Sequence, residues 1–565
     1  MKRTIVTVAA CALIAACGGS EQTAQTTPPA NAPAPQIPDI DQGAIMEHVK
    51  VLASDEYEGR APGTNGEALT VQYLIEQSKT IGLQPGNPDG TYVQKVPLVG
   101  ITGSEAEPFT VVKGSQKRTF KYSDEVVAFT ERVTGTASID NSDLVFVGYG
   151  VSAPEYGWDD FKGVDLKGKT IVVLVNDPQV PDASDPSKLD PKMFNGQAMT
   201  YYGRWTYKYE KAAELGAAGV FIVHETGPAG YPYPVVQGFL GERFGLVTED
   251  RNMGRASIQG WFSLDTAKEI FTMAGQDFDA LKKQALSRDF KPVPLGLAAS
   301  MTIRNETRTI DSQNVVAKLD GSDPAMKDEY VIYSSHWDHL GVDKTIDGDG
   351  IHNGALDNAS GVAALLEIGR GFTEIQPKPK RSILFLFVTA EEQGLLGSEY
   401  YATHPLYPLE KTAANINIDG VNQWGRTSDI TVIGMGASDL DDYLRKAAAT
   451  QNRTLVPDPE SEKGFYYRSD HFNFAKVGVP ALYTDSGVSY VGKDENYSKT
   501  RREAYTANDY HKPSDEIKPD WDLSGAVEDA KLLLLVGYNV ANAETLPEWE
   551  PGNEFKAARD AMMKK

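Results

Sequence analysis

The segment "SSHWDH", Ser334 to His339, places two imidazoles and a carboxylate within four residues, in a chain that has only eight histidines. It follows a run of β-forming residues beginning at Val331, so this chemistry stands at the end of a strand. On an extended backbone, side chains two apart project to the same side, so Asp338 can fix the tautomer of the His336 imidazole from behind. Further along, Asp357 lies in "HNGALDNASG", Glu391 and Glu392 adjoin in "VTAEEQG", Asp419 follows "NINI", and His511 arrives in "NDYHKPSDE". Imidazole and carboxylate suit zinc, which takes about four ligands, and a two-oxygen carboxylate can bridge two ions about 3.5–4 Å apart. Neighbouring carboxylates such as 391 and 392 repel each other unless a cation lies between them. With one present, one carboxylate can ligate while the other takes a proton from water. Each residue alone is a weak signal, and Asp357 could simply cap the helix that begins near Ser360. Their joint occurrence in one block carries the metal reading.

The elements that must hold these residues alternate regularly. From about Thr302 to Ala543, "NVVAKLDG", "EYVIYSSHWDHLG", "SGVAALLEIGRGFTE", "RSILFLFVTAEEQG", "TAANINIDG" and "DITVIGMG" alternate apolar strands with helices. This predicts an α/β sandwich, in which ligands sit beyond the carboxyl ends of the strands. Upstream, residues 39–121 begin with two helices, the second from about Gly66 to Gly82. Residues 122–291 read as a compact β-rich module with no catalytic cluster of its own, and His224 there reads as structural. The main block is taken as 302–545 and the C-terminal tail as 546–565.

The chain has 565 residues, enough for two globular units or one unit with an insert, and 55 Lys+Arg against 78 Asp+Glu give a net charge of −23. That balance argues against nucleic acid as a partner and favours a soluble acidic surface. The N-terminus, "MKRTIVTVAACALIAAC", has two basic residues, a short apolar run and small residues ending at Cys17. It reads as an export signal over 1–17 with a lipobox, making Cys17 an acylation site that anchors the chain to the lipid membrane of a bacterial cell envelope. Residues 18–38, rich in Gly, Ser, Thr, Ala and Pro, read as a disordered tether. Both cysteines, Cys11 and Cys17, fall in the leader, so the body offers no thiolate and any metal must be held by His, Asp and Glu.

The motifs "HWDHLG", "GIHNGALDNASGVAALLEIGR", "VTAEEQGLLGSEYY", "NINIDGV", "RSDHFNFAKVGVPA" and "DYHKPSDE" resemble those of the di-zinc aminopeptidases of metallopeptidase family twenty-eight. The resemblance extends to "LASDEYEGRAPGT", and "VGYGV", "LKGKTIVVL" and "KAAELGAAGVFIV" resemble the protease-associated domain inserted in many members. It implies a three-layer αβα zinc-exopeptidase sandwich, two zinc ions per chain and removal of N-terminal residues from peptides. By the same resemblance, His336 and Asp419 bind one zinc, Glu392 and His511 the other, Asp357 bridges, Glu391 is the general base and Asp338 supports His336. The family's cis peptide would fall at Asp357–Asn358. Asp470 and His471 match a motif near the substrate pocket, and Tyr467 is a candidate donor to the oxyanion. His339 is left as a loop or supporting residue. The same fold also admits a glutamate carboxypeptidase-like enzyme, for which Arg468 is the basic candidate, a glutaminyl cyclase with one zinc, or a catalytically inactive binding protein. The sequence sets no oligomeric state.

Overall fold

A computed structural model describes residues 35–564. The leader, Cys17 and most of the tether lie outside the described residues. Within them, the Gln36 amide already donates to the Gln376 carbonyl at 2.9 Å.

The strands Tyr330–His336 (YVIYSSH) and Ser382–Val388 (SILFLFV) are buried at every position. Strands apolar on both faces need cover on both sides, and here they have it. Val331, Tyr333, Ile383, Phe385 and Phe387 pack into one core with Ile45, Val49, Leu365, Leu444 and Leu534 from helices Gln42–Leu52, Gly361–Glu374, Leu440–Thr450 and Ser524–Asn542. The alternate residues Ile332, Leu384, Leu386 and Val388 face the opposite way, onto Tyr401 and Phe474 of helices Leu396–Thr403 and His471–Lys476. The expected α/β sandwich is therefore present as three layers. Four strands run parallel, in the order Ser382–Val388, Tyr330–His336, Thr412–Asn417, Ala481–Asp485. Val293–Leu319 adds antiparallel on one side and Asp429–Ile433 antiparallel on the other.

A second lobe is inserted between the opening helices and this sheet. Its strands carry their own cores: Val172, Leu174, Phe221 and Val223 face one way, with Phe109, Phe120 and Ile303, and Ile171, Val173, Val220 and Ile222 face the other, with Trp261. The lobe's packing thus draws in Phe109 and Ile303, outside the interval 122–291. The two lobes share one long antiparallel pair, Val93–Ala106 against Val293–Leu319, running from Val93↔Val315 to Ile303↔Ala106 with a register shift between Arg304 and Asn305. The segment read as a C-terminal tail is likewise packed: Trp549 and Phe555 are buried beside Tyr201, Tyr467 and Phe472, because aromatic side chains of that size find cover where the lobes meet. No helix among the described residues is long and apolar enough to cross a membrane.

Candidate metal centre

Sheet register brings the first ligands together. His336 pairs with Val388 on one neighbouring strand, so Glu391 and Glu392 follow just beyond that level. Ser334 pairs with Asn417 on the other, so Asp419 emerges level with His336. His336 Nε2 lies 3.2 Å from Asp419 Oδ1, 3.3 Å from Asp357 Oδ1 and 3.9 Å from Glu391 Oε2. A second group forms around Glu392. Its Oε2 lies 3.1 Å from His511 Nε2, which is 3.3 Å from Asp357 Oδ2, and its Oε1 lies 2.5 Å from His339 Nδ1. The two oxygens of Asp357 therefore face different groups. Within each of the sets His336–Glu391–Asp419 and His339–Asp357–Glu392, the ligating atoms lie within 4.8 Å of one another.

The chemistry of this donor set fits divalent cations. Acidic groups converge in a nearly dry space, and their imidazole neighbours take up the charge. Burial alone would lower His336, but Glu391 and Asp419 outweigh it and raise it well above the ordinary imidazole range. Burial likewise works against His511, yet Glu392 and Asp357 lift it to about 11. Glu391 goes well up, first from burial and then from Asp419 and Glu392. In Glu392, burial and Asp357 favour the acid form, but His511 and His339 prevail and hold it near 2. A further observation points the same way: His339 Nε2 is buried without a hydrogen-bond partner among the described residues.

A surrounding ring of hydrogen bonds fixes the ligands. Asp338 does not reach His336 directly, since its carboxylate stands 3.8 Å from Nδ1 and the Asp338 backbone carbonyl takes that nitrogen at 3.2 Å. Its carboxylate instead accepts the Glu391 amide at 3.0 Å, holding the turn that carries both glutamates. Burial raises Asp338 to about 8. Asp515 accepts the amides of Leu356 and Asp357 at 3.1 and 3.0 Å. Asn358, joined to Asp357 by a cis peptide, accepts the Gly420 amide at 2.8 Å. Ser469 donates to Asp419 Oδ2 at 2.6 Å and accepts from Asn417 at 2.7 Å. Arg60, from "YEGRAPG", is buried and donates to the carbonyls of Leu52, Trp337, Asn353 and Gly354, tying the N-terminal helix to two ligand loops.

Every metal ligand expected from the sequence enters the cluster, and His339, set aside as a supporting residue, enters it too. The Tyr467 hydroxyl, in contrast, is committed elsewhere: it donates to Glu554 at 2.7 Å within the aromatic packing where the lobes meet, which leaves it no free proton for an oxyanion. Tyr510 takes the position at the centre instead, half-exposed and stacked on His511 at 3.8 Å between ring centroids. Asp470 and His471 are fully buried, out of reach of a substrate. Burial pushes the first up to about 7 and the second down to about 3. Reading for ligands alone passed over Ser469, Asp515 and Arg60. Ser469 and Asp515 lie inside quoted motifs, but a serine or a second aspartate in a loop carries no distinctive spacing.

The parallel strands thus end on imidazoles and carboxylates in two adjoining sets, which places a set of candidate metal ligands beyond the carboxyl edge of the sheet. The segment supplying these ligands, residues 314–535, matches the family model of Peptidase family M28. The chain is 28% identical to a probable leucine aminopeptidase 2 of Aspergillus oryzae, over 42% of this chain and 48% of that protein. It is 29% identical to a probable zinc metalloprotease of Pyrenophora teres f. teres, over 42% of this chain and 50% of that one. The chain thus spans about half the length of these relatives. Among solved structures, an aminopeptidase from Aneurinibacillus sp. strain AM-1 is 19% identical, with a TM-score of 0.47 over 90% of this chain and 96% of that one.

Proposed function

We propose that the protein is a zinc-dependent aminopeptidase that hydrolyses the first peptide bond of a chain with a free N-terminus. The observation that carries this reading is Asp357, whose Oδ1 and Oδ2 each stand 3.3 Å from a different histidine, His336 and His511. A carboxylate shared in this way suits a pair of ions, with His336 and Asp419 on one side and Glu392 and His511 on the other. Zinc is favoured by the imidazole–carboxylate donor set and by the zinc metalloprotease among the relatives. When bound, zinc supplies Lewis-acid chemistry at the scissile carbonyl. The protein's own part is proton transfer and positioning. Glu391, held by Asp338 through its backbone amide, takes the proton of the attacking water and returns it to the leaving nitrogen. The acidic edge of the site pairs with the substrate's α-ammonium group. The inserted lobe is read as a protease-associated domain, and the leader as placing the enzyme on a lipid anchor through Cys17.

One observation favours a second reading, a carboxypeptidase: the Arg468 side chain, next to Ser469, has no carboxylate partner among the described residues. The test is amino-acid release from unblocked and N-acetylated peptides by the leaderless protein, with metal content measured alongside. Cleavage restricted to free N-termini, two zinc ions per chain and loss of turnover in Glu391→Ala establish the aminopeptidase. Indifference to acetylation establishes the second reading. Two bound zinc ions with no cleavage of any peptide exclude both.

A further inference from the structure

His339 stands at the metal centre on terms different from those of its neighbours. The donor pairs His336–Asp419, His336–Asp357, Glu392–His511 and His511–Asp357 are separated by 3.2, 3.3, 3.1 and 3.3 Å. Donors held about 2.0–2.2 Å from one tetrahedral zinc stand about 3.3–3.6 Å apart, so these spacings suit atoms that share an ion. His339 belongs to the second set by proximity, but its Nδ1 is only 2.5 Å from Glu392 Oε1. That is too close for two ligands of one ion and is the length of a short hydrogen bond. The two oxygens of Glu392 are thus divided, Oε1 going to His339 while Oε2 faces His511. The same division recurs at Asp419, whose Oδ1 faces His336 while Oδ2 accepts from Ser469 at 2.6 Å.

The surroundings of His339 fix its hydrogen bond. The residue is fully buried, and Nε2 has no partner among the described residues, so Glu392 is the one polar group that the ring engages there. The ring lies against His511 and His352, 5.9 and 6.4 Å between centroids. It also lies against Gly354, φ +53°, where a Cβ would come within 2.6 Å of His339 Cδ2. The same strand end grips the glutamates twice more, since the Asp338 carboxylate accepts the amides of Glu391 and Glu392 at 3.0 and 3.4 Å. Asp338 therefore sets the backbone of the turn, and His339 sets the side chain of its second glutamate.

We infer that His339 is a positioning residue that limits Glu392 to one metal-binding oxygen, Oε2. A carboxylate can hold an ion through one oxygen or both. With Oε1 tied to the imidazole N–H, a coordination position is left for substrate or water, which a catalytic site needs and a structural site lacks. The inference rests on the two-metal reading of the centre and adds to it the residue that keeps one of the two positions open.

The test compares the wild type with His339→Ala, His339→Asn and His339→Gln, each loaded with cobalt(II) as the probe. Asparagine carries an N–H donor where Nδ1 was, and glutamine carries one where Nε2 was, so asparagine alone can reach Oε1 in the same way. The readout is the visible absorption of the bound cobalt, which weakens as coordination rises from four donors to five or six. The expected result is a weaker band for one of two bound ions in the alanine and glutamine variants, restored by asparagine. In the zinc-saturated proteins, kcat/KM for leucine 4-nitroanilide should follow the same order, with a loss of about 10–100-fold in the first two. Glutamine keeps the space filled if the alanine variant does not fold. An unchanged cobalt spectrum in both variants overturns the inference, whatever happens to turnover. So does a change that asparagine does not repair, which makes His339 a ligand or a packing residue. If the wild type takes up only one ion, the two-metal reading falls and the inference falls with it.

Discussion

The two lobes bury charge in opposite ways. In the insert, Lys208 is buried and its ammonium donates to the carbonyls of Tyr149, Asn176 and Tyr202 at 2.5, 3.1 and 2.6 Å. Asp177 accepts from the amide and hydroxyl of Thr200, and Asp160 from the Val151 amide and the Trp158 indole. These groups are satisfied by the protein itself. At the carboxyl edge of the parallel sheet, the groups are less completely covered and not all satisfied: His339 Nε2 is buried without a partner among the described residues, and the carboxylates of Asp357, Glu391, Glu392 and Asp419 crowd three imidazoles. Burial alone therefore does not distinguish a working site from a structural network. The convergence of four carboxylates on three imidazoles does, since the insert too holds buried polar atoms without a partner among the described residues, such as Trp261 Nε1 and Gln259 Oε1.

The largest effect expected from that contrast is at Glu391. Glu391→Gln keeps the side chain's size and removes the proton acceptor. Turnover should fall by about 10²–10⁴-fold with metal content unchanged. If metal content falls with turnover, Glu391 belongs among the ligands, where its 3.9 Å approach to His336 would place it, and the general-base role goes with it.

In the insert, the corresponding change should act on stability instead. Lys208→Met leaves three carbonyls and two buried aspartates without their cation. The expected loss is about 3–5 kcal/mol, by analogy with one-sided removal from a buried ion pair. Metal stoichiometry of the folded fraction should stay as in the wild type. Denaturant unfolding alongside metal analysis separates the two, and loss of metal in this variant would erase the distinction between the lobes.

Titration sharpens the same point. Burial raises Asp160 from 3.8 to about 6. Between those values the folded chain holds a proton that the unfolded chain has released, so this group's contribution to stability falls as pH rises through that window, by up to about 3 kcal/mol. Asp160→Asn has no proton to release and should flatten that part of the stability profile measured from pH 4 to 7. An unchanged slope would assign it to other groups.

How much of this was legible in the chain follows from how each ligand is placed. His336, Glu391 and Asp419 stand just beyond buried apolar strands, and parallel register converts such positions into neighbours, so local pattern was enough. His511 has φ +57° in a loop and pairs with no strand, so only its motif gave it away. His339 was set aside because spacing cannot say which of two histidines in "HWDH" turns inward, and the structure turns both. Tyr467 reads as a donor to the oxyanion because it stands beside the motif that carries Asp470 and His471. Its hydroxyl points instead to Glu554, which is 87 residues away in the sequence. The limits of the inserted lobe's core were blurred for a related reason: Val293–Leu319 is one 27-residue strand serving both lobes, with no break for composition to mark.

The smallest effect is expected where the ring of hydrogen bonds meets the ligands. Asp515 accepts two consecutive amides, of Leu356 and Asp357, and so sets the backbone from which Asp357 reaches both groups. Ser469 gives Asp419 a single hydrogen bond. Neither touches the reacting atoms, so each should act through metal affinity. Asp515→Ala should weaken zinc binding by about 10–100-fold, the usual scale for groups behind a ligand. Ser469→Ala should cost only about 1 kcal/mol, one hydrogen bond to a group that keeps other partners. Competition with a chelator of known affinity measures both without reference to turnover. If Ser469→Ala proves the more damaging, the strand-borne group depends on its outer ring more than the Asp357 turn does. The sheet would then supply proximity, with the ligand geometry coming from the loop at the lobe junction.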